Sequence, residues 1–314
     1  MLLINSDETT DPAVNLALEE HCFRNLDPAF DYLLFYVNRP SIIIGRHQNP
    51  FQEFNQDLAR RKDILPVRRI SGGGAVYHDF GNLNFSFITG FTEEKLDYFK
   101  TLLKPILNTL HQLGVPAQLT GKNNILVDGQ KVSGNSQHTN MRRMLSHGTL
   151  LLDSDRDFLE RVLKPDLKII ESRAVASIPS RVTNIVRYLR RPMDMGAFRT
   201  AVQEGISGVF GKMNQYRLTS EDREAVDRLA NIKYKSWEWT FGRTPKFAVS
   251  HRIRLDSGYA DACFSVRNGV IRSVELADKQ VETSSARQVI KGFIGKRYGE
   301  KCPADIGSSE TVVK

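Results

Sequence analysis

The stretch RRISGGGAVYHD, residues 68–79, places three consecutive glycines after two arginines and before a histidine and an aspartate. Glycine adopts positive φ angles readily and lets a ligand approach the backbone closely. Successive backbone N–H groups in such a loop can bind an anion, and Arg68 or Arg69 would add a charge-assisted contact. The stretch therefore predicts an anion-binding loop, with a bulged turn of purely structural role as the alternative.

Neither of the two common phosphate-binding loops matches this stretch. A P-loop requires Gly-Lys followed by Ser or Thr at the start of a helix. A dinucleotide-binding loop requires G-x-G-x-x-G between a strand and a helix. Here the glycines lie between ILPVRRI (64–70) and NLNFSFI (82–88), and both flanking segments have the pattern of strands.

The composition of the 314-residue chain is that of a soluble globular protein, with 40% hydrophobic and 25% charged residues. There is no apolar run of the roughly 20 residues that a membrane span needs, and residues 1–12 lack the pattern of a targeting segment. We therefore predict a soluble, cytoplasmic protein. Cys22, Cys263 and Cys302 lie far apart, so the cysteines predict neither a disulfide framework nor a zinc site.

The net charge of +8 raises the question of nucleic-acid binding. Basic residues are scattered, and short clusters such as RYLRRP (187–192) are not interleaved with aromatic residues as in a stacking platform. We therefore predict no nucleic-acid partner. The charge fits an anionic small molecule or an acidic protein partner instead.

Hydrophobic periodicity predicts an α/β protein. Helices are predicted over residues 11–25, 92–114, 155–163, 194–210, 219–231 and 284–297. Strands are predicted over residues 32–37, 41–45, 64–70, 82–88 and 147–153, with hairpins over 124–134 and 262–276. Because an aromatic, turn-rich stretch precedes a compact C-terminal unit, we predict two domains, residues 1–245 and 250–314. A polar tail, residues 304–314, is predicted to be mobile.

Lys131 opens KVSGNSQ, a second stretch rich in small and polar residues. An exposed lysine beside a hairpin turn is the ordinary interpretation. If the hairpin faces the glycine loop, however, Lys131 could bridge a carboxylate and a phosphate. Such a lysine would neutralise charge on an α-phosphate and hold the attacking oxygen in line, which is the chemistry of nucleotidyl transfer.

Other catalytic residue types receive less support from the sequence. His78 and His147 each lie beside a glycine, but structural histidines would look the same. No cysteine occurs between Cys22 and Cys263, which excludes a thiol nucleophile near the glycine loop. Ser71 and Ser133 have no evident base beside them in the sequence, so a serine nucleophile is weakly supported.

Several segments in order give the chain a family resemblance. They are NLALEE (15–20), IIIGRHQNP (42–50), RRISGGGAVYHDFGNLNFSF (68–87), GKNNILVDGQKVSG (121–134), HGTLLL (147–152), SRVTN (180–184) and WEWTFG (237–242). Together they resemble the lipoate–protein ligases, and they span nearly the whole chain. The family belongs to the biotin/lipoate protein ligase superfamily, although the usual G-R-G-R loop of biotin ligases is absent here.

The resemblance implies an ATP-dependent ligase that converts lipoate to lipoyl-AMP with Mg²⁺ and transfers the lipoyl group to a lysine. The implied acceptors are apo lipoyl domains of 2-oxoacid dehydrogenase E2 subunits and the glycine-cleavage H protein. Octanoate is an alternative substrate, and no prosthetic group or membrane partner is expected. The implied fold is a mixed-sheet catalytic domain with a smaller C-terminal α/β domain, in a monomer.

The resemblance also assigns site residues, with Lys131 as the central catalytic group. The residues implied to bind lipoate or lipoyl-AMP are Tyr36, Arg69, Gly73, Gly74, Val76, His78, Lys131, Ser133, His147 and Gly148. Those implied to bind ATP are Arg69, Gly74, Ala75, Val76, Tyr77, Asn82 and Lys131.

The chain departs from the family pattern at two positions. Asn124 stands where the family has an aspartate, which weakens the expected Mg²⁺ site because a neutral oxygen replaces a charge. Ser146 stands where a histidine is common, with a smaller effect expected. Asn124 keeps open the alternative of a lipoyltransferase that uses preformed lipoyl-AMP or a lipoyl-carrier protein.

Two further alternatives are distinguished by what the chain contains. Octanoyltransferases related to this family use a cysteine, but the corresponding segment here, LKPDL (163–167), has none. A non-enzymatic binding module would keep the motifs as scaffold. It would bind arbitrary DNA with a steep dependence on salt.

Overall fold

The computed structural model describes residues 1–91, 99–121, 123–165, 169–172, 174–178, 180–256 and 258–299. Within these ranges the strands form three sheets of eight, four and three strands, accompanied by α-helices. The predicted mixed α/β fold class is therefore confirmed. In the same ranges, no helix combines the length and the apolar character needed to cross a bilayer.

The largest sheet has eight strands and is mixed. Its strands, in sheet order, are β12 (Asn214–Tyr216), β1 (Leu2–Ile4), β2 (Tyr32–Val37), β6 (Asn82–Gly90), β10 (Arg143–Leu151), β9 (Gln130–Thr139), β8 (Asn124–Val127) and β7 (Gln118–Thr120). The first three strands pair in parallel, and every later pair is antiparallel.

Helices cover both faces of this sheet. Successive side chains of a strand point to opposite faces. Leu33 and Phe35 of β2 accordingly lie in one buried core, whereas Tyr32 and Leu34 lie in another. This explains why YLLFYV reads as a continuous apolar run rather than an alternating one. The helices contributing to the first core are α4 (Phe99–Gln112) and α6 (Met195–Phe210), and those contributing to the second are α1 (Pro12–Asn25) and α7 (Ser220–Leu229).

A three-stranded sheet carries the glycine loop, which we define as residues 69–75. Its strands, in sheet order, are β4 (Leu65–Arg68), β3 (Ser41–Ile44) and β5 (Val76–His78), and its neighbouring helices are α2 (Pro50–Glu53), α3 (Gln56–Arg61) and α5 (Arg156–Val162). The glycine loop joins β4 to β5, so the prediction that the glycines lie between two strands is confirmed. The second of these strands is β5, which the sequence did not reveal because it is only three residues long.

The four-stranded sheet contains the C-terminal strands. Its members, in sheet order, are β11 (Ile169–Ser172), β13 (Phe247–Leu255), β14 (Gly258–Arg267) and β15 (Val270–Leu276), with α8 (Trp237–Thr240) before them and α9 (Ser284–Phe293) after them. Phe51 of α2 packs in the core of this sheet. The division into residues 1–245 and 250–314 remains a prediction. The smaller sheet also takes its edge strand, β11, from residues N-terminal to that division.

Both hairpins predicted from Asx-Gly pairs are confirmed. Asp128 and Gly129 have φ angles of 49° and 74°, and Asn268 and Gly269 have φ angles of 54° and 69°. Two successive positive φ angles define the type I′ turn. Local turn chemistry therefore fixed the register of both hairpins.

Several predicted boundaries were wrong by a few residues. The predicted helix 284–297 ends at Phe293, and the predicted helix 219–231 ends as an α-helix at Leu229 and continues as a π turn. The predicted strand 147–153 is longer, since β10 begins at Arg143. The helix predicted over 92–114 ends at Gln112, and its predicted start lies outside the described residues, as does the predicted mobile tail.

Arg68 has a structural role, so the suggestion that it contacts a bound anion was wrong. Its side chain is fully buried, at 0% exposure, and its guanidinium donates to backbone carbonyls on two separate segments. On one side the acceptors include the Gly45 and Gln48 oxygens at 2.9 and 2.8 Å. On the other side the Thr240 oxygen accepts from Nε at 3.0 Å. Arg68 therefore joins the turn after β3 to the end of α8.

We predict that Arg68→Ala destabilises the fold by at least about 3 kcal/mol, because several buried carbonyls lose a charged donor at once. Thermal unfolding followed by circular dichroism measures the effect. Arg60→Ala, at an exposed position of α3, is the matched control. An equal melting temperature for Arg68→Ala and wild type would contradict the assigned role.

Candidate active site

A cavity of about 770 Å³ brings together the glycine loop, β9 and β10. The sequence placed its candidate residues on four separate segments, and the structure assembles most of them around this one space. Those in the cavity wall are Tyr36, Arg69, Gly73, Gly74, Ala75, Val76, Tyr77, His78, Asn124, Lys131, His147 and Gly148. The condition stated for Lys131, that its hairpin faces the glycine loop, is therefore met.

Two candidates are not part of the cavity wall. Ser133 is fully buried, and its Oγ accepts a hydrogen bond from Asn135 Nδ2 at 3.1 Å. Asn82 is also fully buried, and its Nδ2 donates to Asn84 Oδ1 at 3.0 Å. Both lie one layer behind the wall, where they contact residues that do line the cavity, Asn135 and Asn84.

The backbone of Lys131 is fixed by a segment distant in sequence. Its N–H donates to the Arg181 oxygen at 2.8 Å, and its carbonyl accepts from the Thr183 N–H at 3.0 Å. The pairing of β8 with β9 is irregular beside Lys131, since Leu126 faces Lys131 whereas Ile125 faces Ser133. Such bulges re-aim side chains next to functional sites. The SRVTN segment therefore has a structural task, which is to hold the strand that carries Lys131.

The side chain of Lys131 lies against Gly134. A Cβ atom at Gly134 would come within 2.6 Å of Lys131 Cε and 2.7 Å of Nζ. Because residue 134 is a glycine, the space in which the ammonium lies stays open.

The ammonium of Lys131 lies in an electropositive, partly desolvated place. Among the described residues it makes no hydrogen bond or ion pair. Burial, and secondarily the positive charge of Arg69, lower the pKa of Lys131. Both effects disfavour the charged ammonium in the absence of an anion. The site is therefore electrostatically suited to a negatively charged ligand.

Arg69 organises the glycine loop from within. Its guanidinium donates to the Ile43 oxygen at 3.0 Å and to the Gly72 and Gly74 oxygens at 2.6 and 2.8 Å. Burial lowers the pKa of Arg69 to about 10, so it stays charged at neutral pH. Within the described residues no carboxylate lies within ion-pair distance of it. The loop carbonyls thus hold a buried cation at the cavity wall.

A hydrogen-bonded chain connects Arg69 to helix α1. Arg69 Nε donates to Ser71 Oγ at 3.1 Å, and Ser71 Oγ lies 2.6 Å from His147 Nε2. His147 Nδ1 lies 2.8 Å from Glu19 Oε1. Because the Glu19 carboxylate accepts, Nδ1 carries the proton and Nε2 accepts from Ser71. The same carboxylate also accepts from Tyr36 at 3.4 Å, and burial, with Glu19, raises the pKa of Tyr36.

This chain gives Ser71 the base that its sequence neighbours lack. Serine, histidine and glutamate are in the relative geometry of a catalytic triad. Ser71 is nevertheless fully buried, outside the cavity wall, and bonded to Arg69. We interpret this series of hydrogen bonds as a support that orients Arg69 and His147. Ser71 is not a nucleophile in this interpretation.

His78 is held as a neutral imidazole. Asn38 Nδ2 donates to His78 Nδ1 at 3.0 Å, which places the ring proton on Nε2. Nε2 is buried and has no partner in the described part of the chain. Burial, followed by the positive charge of Arg69, lowers the pKa of His78 to about 3. His78 therefore offers one neutral N–H donor beside the cavity.

The region of Asn124 contains amides rather than carboxylates. Asn123 and Asn135 exchange hydrogen bonds. Asn123 Nδ2 donates to the backbone oxygen of Asn135 at 2.6 Å, and Asn135 Nδ2 donates to the backbone oxygen of Asn123 at 2.7 Å. The described residues include no group of three or more His, Cys, Asp or Glu side chains that could hold a metal ion. Asn124 stands in the wall beside this pair, and Lys122 lies outside the described residues.

Sequence reasoning missed several polar residues of the site. Glu19 belongs to NLALEE, a segment that carried the resemblance but received no role. Glu53 and Ser177 line the cavity and contact each other. No motif indicated Ser177, because its partners lie 102 and more residues earlier in the chain.

Comparison with known proteins adds an independent finding. The family model described as the lipoyl protein ligase A/B catalytic domain matches residues 11–207. The lipoate–protein ligase LplJ of Bacillus subtilis is 41% identical over 308 residues, which are 98% of this chain and 93% of LplJ.

Two solved structures show a similar fold. A lipoate–protein ligase A bound with ATP is 27% identical, with a TM-score of 0.66, covering 77% of this chain and 98% of its own. P. falciparum LipL1 in complex with lipoate is 25% identical, with a TM-score of 0.65, covering 88% of this chain and 84% of its own.

We predict that His78 makes the folded state sensitive to acid. Its pKa is about 3 in the folded protein and about 6.5 in an unfolded chain. The unfolded state therefore binds more protons between these values, and stability falls as pH drops through this window, by up to about 1.4 kcal/mol per pH unit. Urea unfolding from pH 6.5 to 4.5 should show a shallower loss of stability for His78→Gln than for wild type. Parallel slopes would contradict the neutral, buried imidazole.

Proposed function

The chain belongs to the lipoyl protein ligase A/B family, and we propose that it joins lipoate to AMP from ATP and then transfers the lipoyl group to an acceptor protein. The family model, the LplJ relative and the ATP-bound and lipoate-bound structural neighbours support an ATP-dependent ligase. The residue roles, the metal and the acceptors are the parts that we infer from the site.

The observation that carries the proposal is the pair of cations in the cavity wall. Burial and the positive charge of Arg69 lower the pKa of Lys131, and burial lowers the pKa of Arg69 although Glu19 and Glu53 act in the opposite direction. No carboxylate of the described residues lies within ion-pair distance of either cation. A phosphate and a carboxylate are the negative groups that this reaction brings together. Their binding would compensate both cations, which is why the apo site is electrostatically unfavourable and the loaded site is not.

We infer that Lys131 acts in both half-reactions. In the first, a lipoate carboxylate oxygen attacks the α-phosphorus, and the bond to the departing pyrophosphate breaks. The ammonium would hold the attacking oxygen in line and neutralise charge on the α-phosphate. In the second, the amine of the acceptor lysine attacks the lipoyl carbonyl and AMP leaves, and the same ammonium would stabilise the oxygen on which charge develops.

Apolar side chains contribute to the wall of the cavity. Leu16, Ile43, Val76 and Leu151 are among them. An uncharged hydrocarbon tail suits such a surface, because burying it removes apolar area from water. The fit applies to octanoate as well as to lipoate, since an apolar pocket discriminates weakly between similar chains.

The acceptors that we propose are lipoyl domains of 2-oxoacid dehydrogenase E2 subunits and the glycine-cleavage H protein. The net charge of +8 would favour acidic acceptors by electrostatic steering.

We infer that Mg²⁺ binds only together with the nucleotide. Mg²⁺ is usually held by one or two carboxylates plus substrate phosphates, and the wall at Asn124 supplies a neutral amide oxygen instead. Asn124 would therefore be a single, weak protein ligand to an ion held chiefly by phosphates. This observation favours, as a second candidate, a lipoyltransferase that receives lipoyl-AMP made elsewhere.

The test incubates the purified protein with ATP, Mg²⁺ and lipoate, without acceptor, and follows lipoyl-AMP and pyrophosphate. We expect product from wild type and a loss of at least about 100-fold for Lys131→Ala, because the charge that opposes the developing negative charge is gone. We expect a loss of about 100-fold for Gly134→Ala, because the added methyl group displaces the ammonium.

Gly208→Ala is the matched control for the glycine substitution. Gly208 lies in α6, and a Cβ atom there meets no neighbour within 4 Å. Full activity of Gly134→Ala would contradict the placement of the ammonium. Absence of lipoyl-AMP with wild type, together with transfer from supplied lipoyl-AMP to an apo lipoyl domain, would establish the transferase instead.

We predict that Asn124→Asp lowers the Mg²⁺ concentration needed for half-maximal lipoyl-AMP formation several-fold, because a charged oxygen replaces a neutral one. A Mg²⁺ titration at fixed ATP measures this concentration, with Asn124→Ala as the control that removes the side-chain oxygen altogether. An identical Mg²⁺ dependence for all three proteins would place the ion away from residue 124.

A further inference from the structure

Residues 174–178, which we call the strap, line the cavity beside the glycine loop. Val175, Ser177 and Ile178 are part of its wall. The Val175 N–H donates to the His47 oxygen at 3.3 Å. Ile178 is 87% exposed, so the strap lies between the cavity and the outside.

The hydroxyl of Ser177 fastens the strap to two other segments. Ser177 Oγ accepts from the Ala75 N–H at 2.9 Å and from Gln48 Nε2 at 3.0 Å. It donates to Glu53 Oε2, and the Ser177 N–H donates to the same oxygen at 3.2 Å. A hydroxyl has one donor and two acceptor positions, so Ser177 Oγ is fully satisfied by these three partners.

Gly74 permits this close contact. A Cβ atom at Gly74 would lie 2.9 Å from Ser177 Oγ and 3.3 Å from Ser177 Cβ. The absence of a side chain at Gly74 therefore lets the strap reach the backbone of the glycine loop. In this state the glycine loop is occupied by another part of the same chain.

The contact between the strap and Glu53 buries a carboxylate that is only partly hydrogen-bonded. Its Oε2 accepts both bonds from Ser177, whereas its Oε1 is buried without a partner in the described residues. Burial raises the pKa of Glu53 despite these bonds. Release of the strap would return this carboxylate to water, which offsets part of the energy of the broken hydrogen bonds.

We propose that Ser177, positioned by Glu53, competes with the nucleotide phosphate for the Ala75 N–H, so that the strap must leave the glycine loop before the nucleotide binds there. The inference rests on the proposed function, since it takes a nucleotide as the ligand. One N–H group cannot donate a strong hydrogen bond to both oxygens. Ser177 and Glu53 then set nucleotide affinity without belonging to the catalytic residues.

The experiment measures binding of ATP and of adenosine by calorimetry to wild type, Ser177→Ala, Glu53→Ala and Glu53→Gln. We expect Ser177→Ala to bind ATP about 3- to 10-fold more tightly, because the Ala75 N–H is free for the phosphate. Adenosine affinity should not change, since adenosine has no phosphate. Glu53→Ala should show part of the gain, and Glu53→Gln, which keeps an acceptor oxygen, should restore most of the wild-type value.

Ser172→Ala is the matched control, because Ser172 lies just before the strap and its hydroxyl also accepts from a backbone N–H, that of Ala174. Backbone amide exchange of the peptide containing Ala75 should be faster in Ser177→Ala and unchanged in Ser172→Ala. This measurement needs no ligand, so it reports on the strap contact independently of the proposed function.

Three outcomes would overturn the inference. Unchanged or weaker ATP binding by Ser177→Ala, with wild type binding ATP, would overturn the competition and leave the proposed function standing. An equal gain for adenosine would show that the strap blocks the cavity by its bulk rather than through the Ala75 N–H. No ATP binding by any of the proteins would overturn both this inference and the ATP-dependent function.

Discussion

The buried guanidinium of Arg69 imposes the constraint on which the site depends. A cation removed from water is tolerated only when its donors are satisfied. Here the satisfying groups are carbonyls of Ile43, Gly72 and Gly74 rather than a carboxylate. Two loop carbonyls must therefore turn toward Arg69, which requires the unusual backbone of a glycine-rich segment. Gly73, between them, has a φ of 88°.

The same constraint extends to the largest sheet and to helix α1. Ser71 accepts from Arg69 and contacts His147, and His147 contacts Glu19 on α1. Lys131 reaches the cavity by a separate route, since its strand is held by residues 181 and 183. Each cation thus has its own backbone contacts, and Ser136 of β9 links the two places by donating to the Gly72 oxygen at 3.0 Å. A scaffold of this kind keeps like charges close until an anion arrives.

Features determined locally could be predicted from the sequence. The Asp128-Gly129 and Asn268-Gly269 turns followed from residue type alone, and so did most helices. The cavity could not be predicted from local pattern, since Glu19 and His147 are 128 residues apart and meet only through the order of strands. The family resemblance made Lys131 the central catalytic residue and supplied part of the wall. It gave no signal for Ser177, and it placed Asn82 and Ser133 at the site although both lie behind the wall.

Arg68 and Arg69 show why residue type alone did not assign the roles. The two are adjacent at the end of β4, and neighbouring side chains on an extended backbone point to opposite sides. Arg68 consequently points toward α8 and holds the scaffold, whereas Arg69 points toward the cavity. Both are buried and both donate to carbonyls, so neither charge nor burial separates them. What separates them is which carbonyls they bind: Arg68 binds those of the turn after β3 and of the end of α8, whereas Arg69 binds those of the glycine loop.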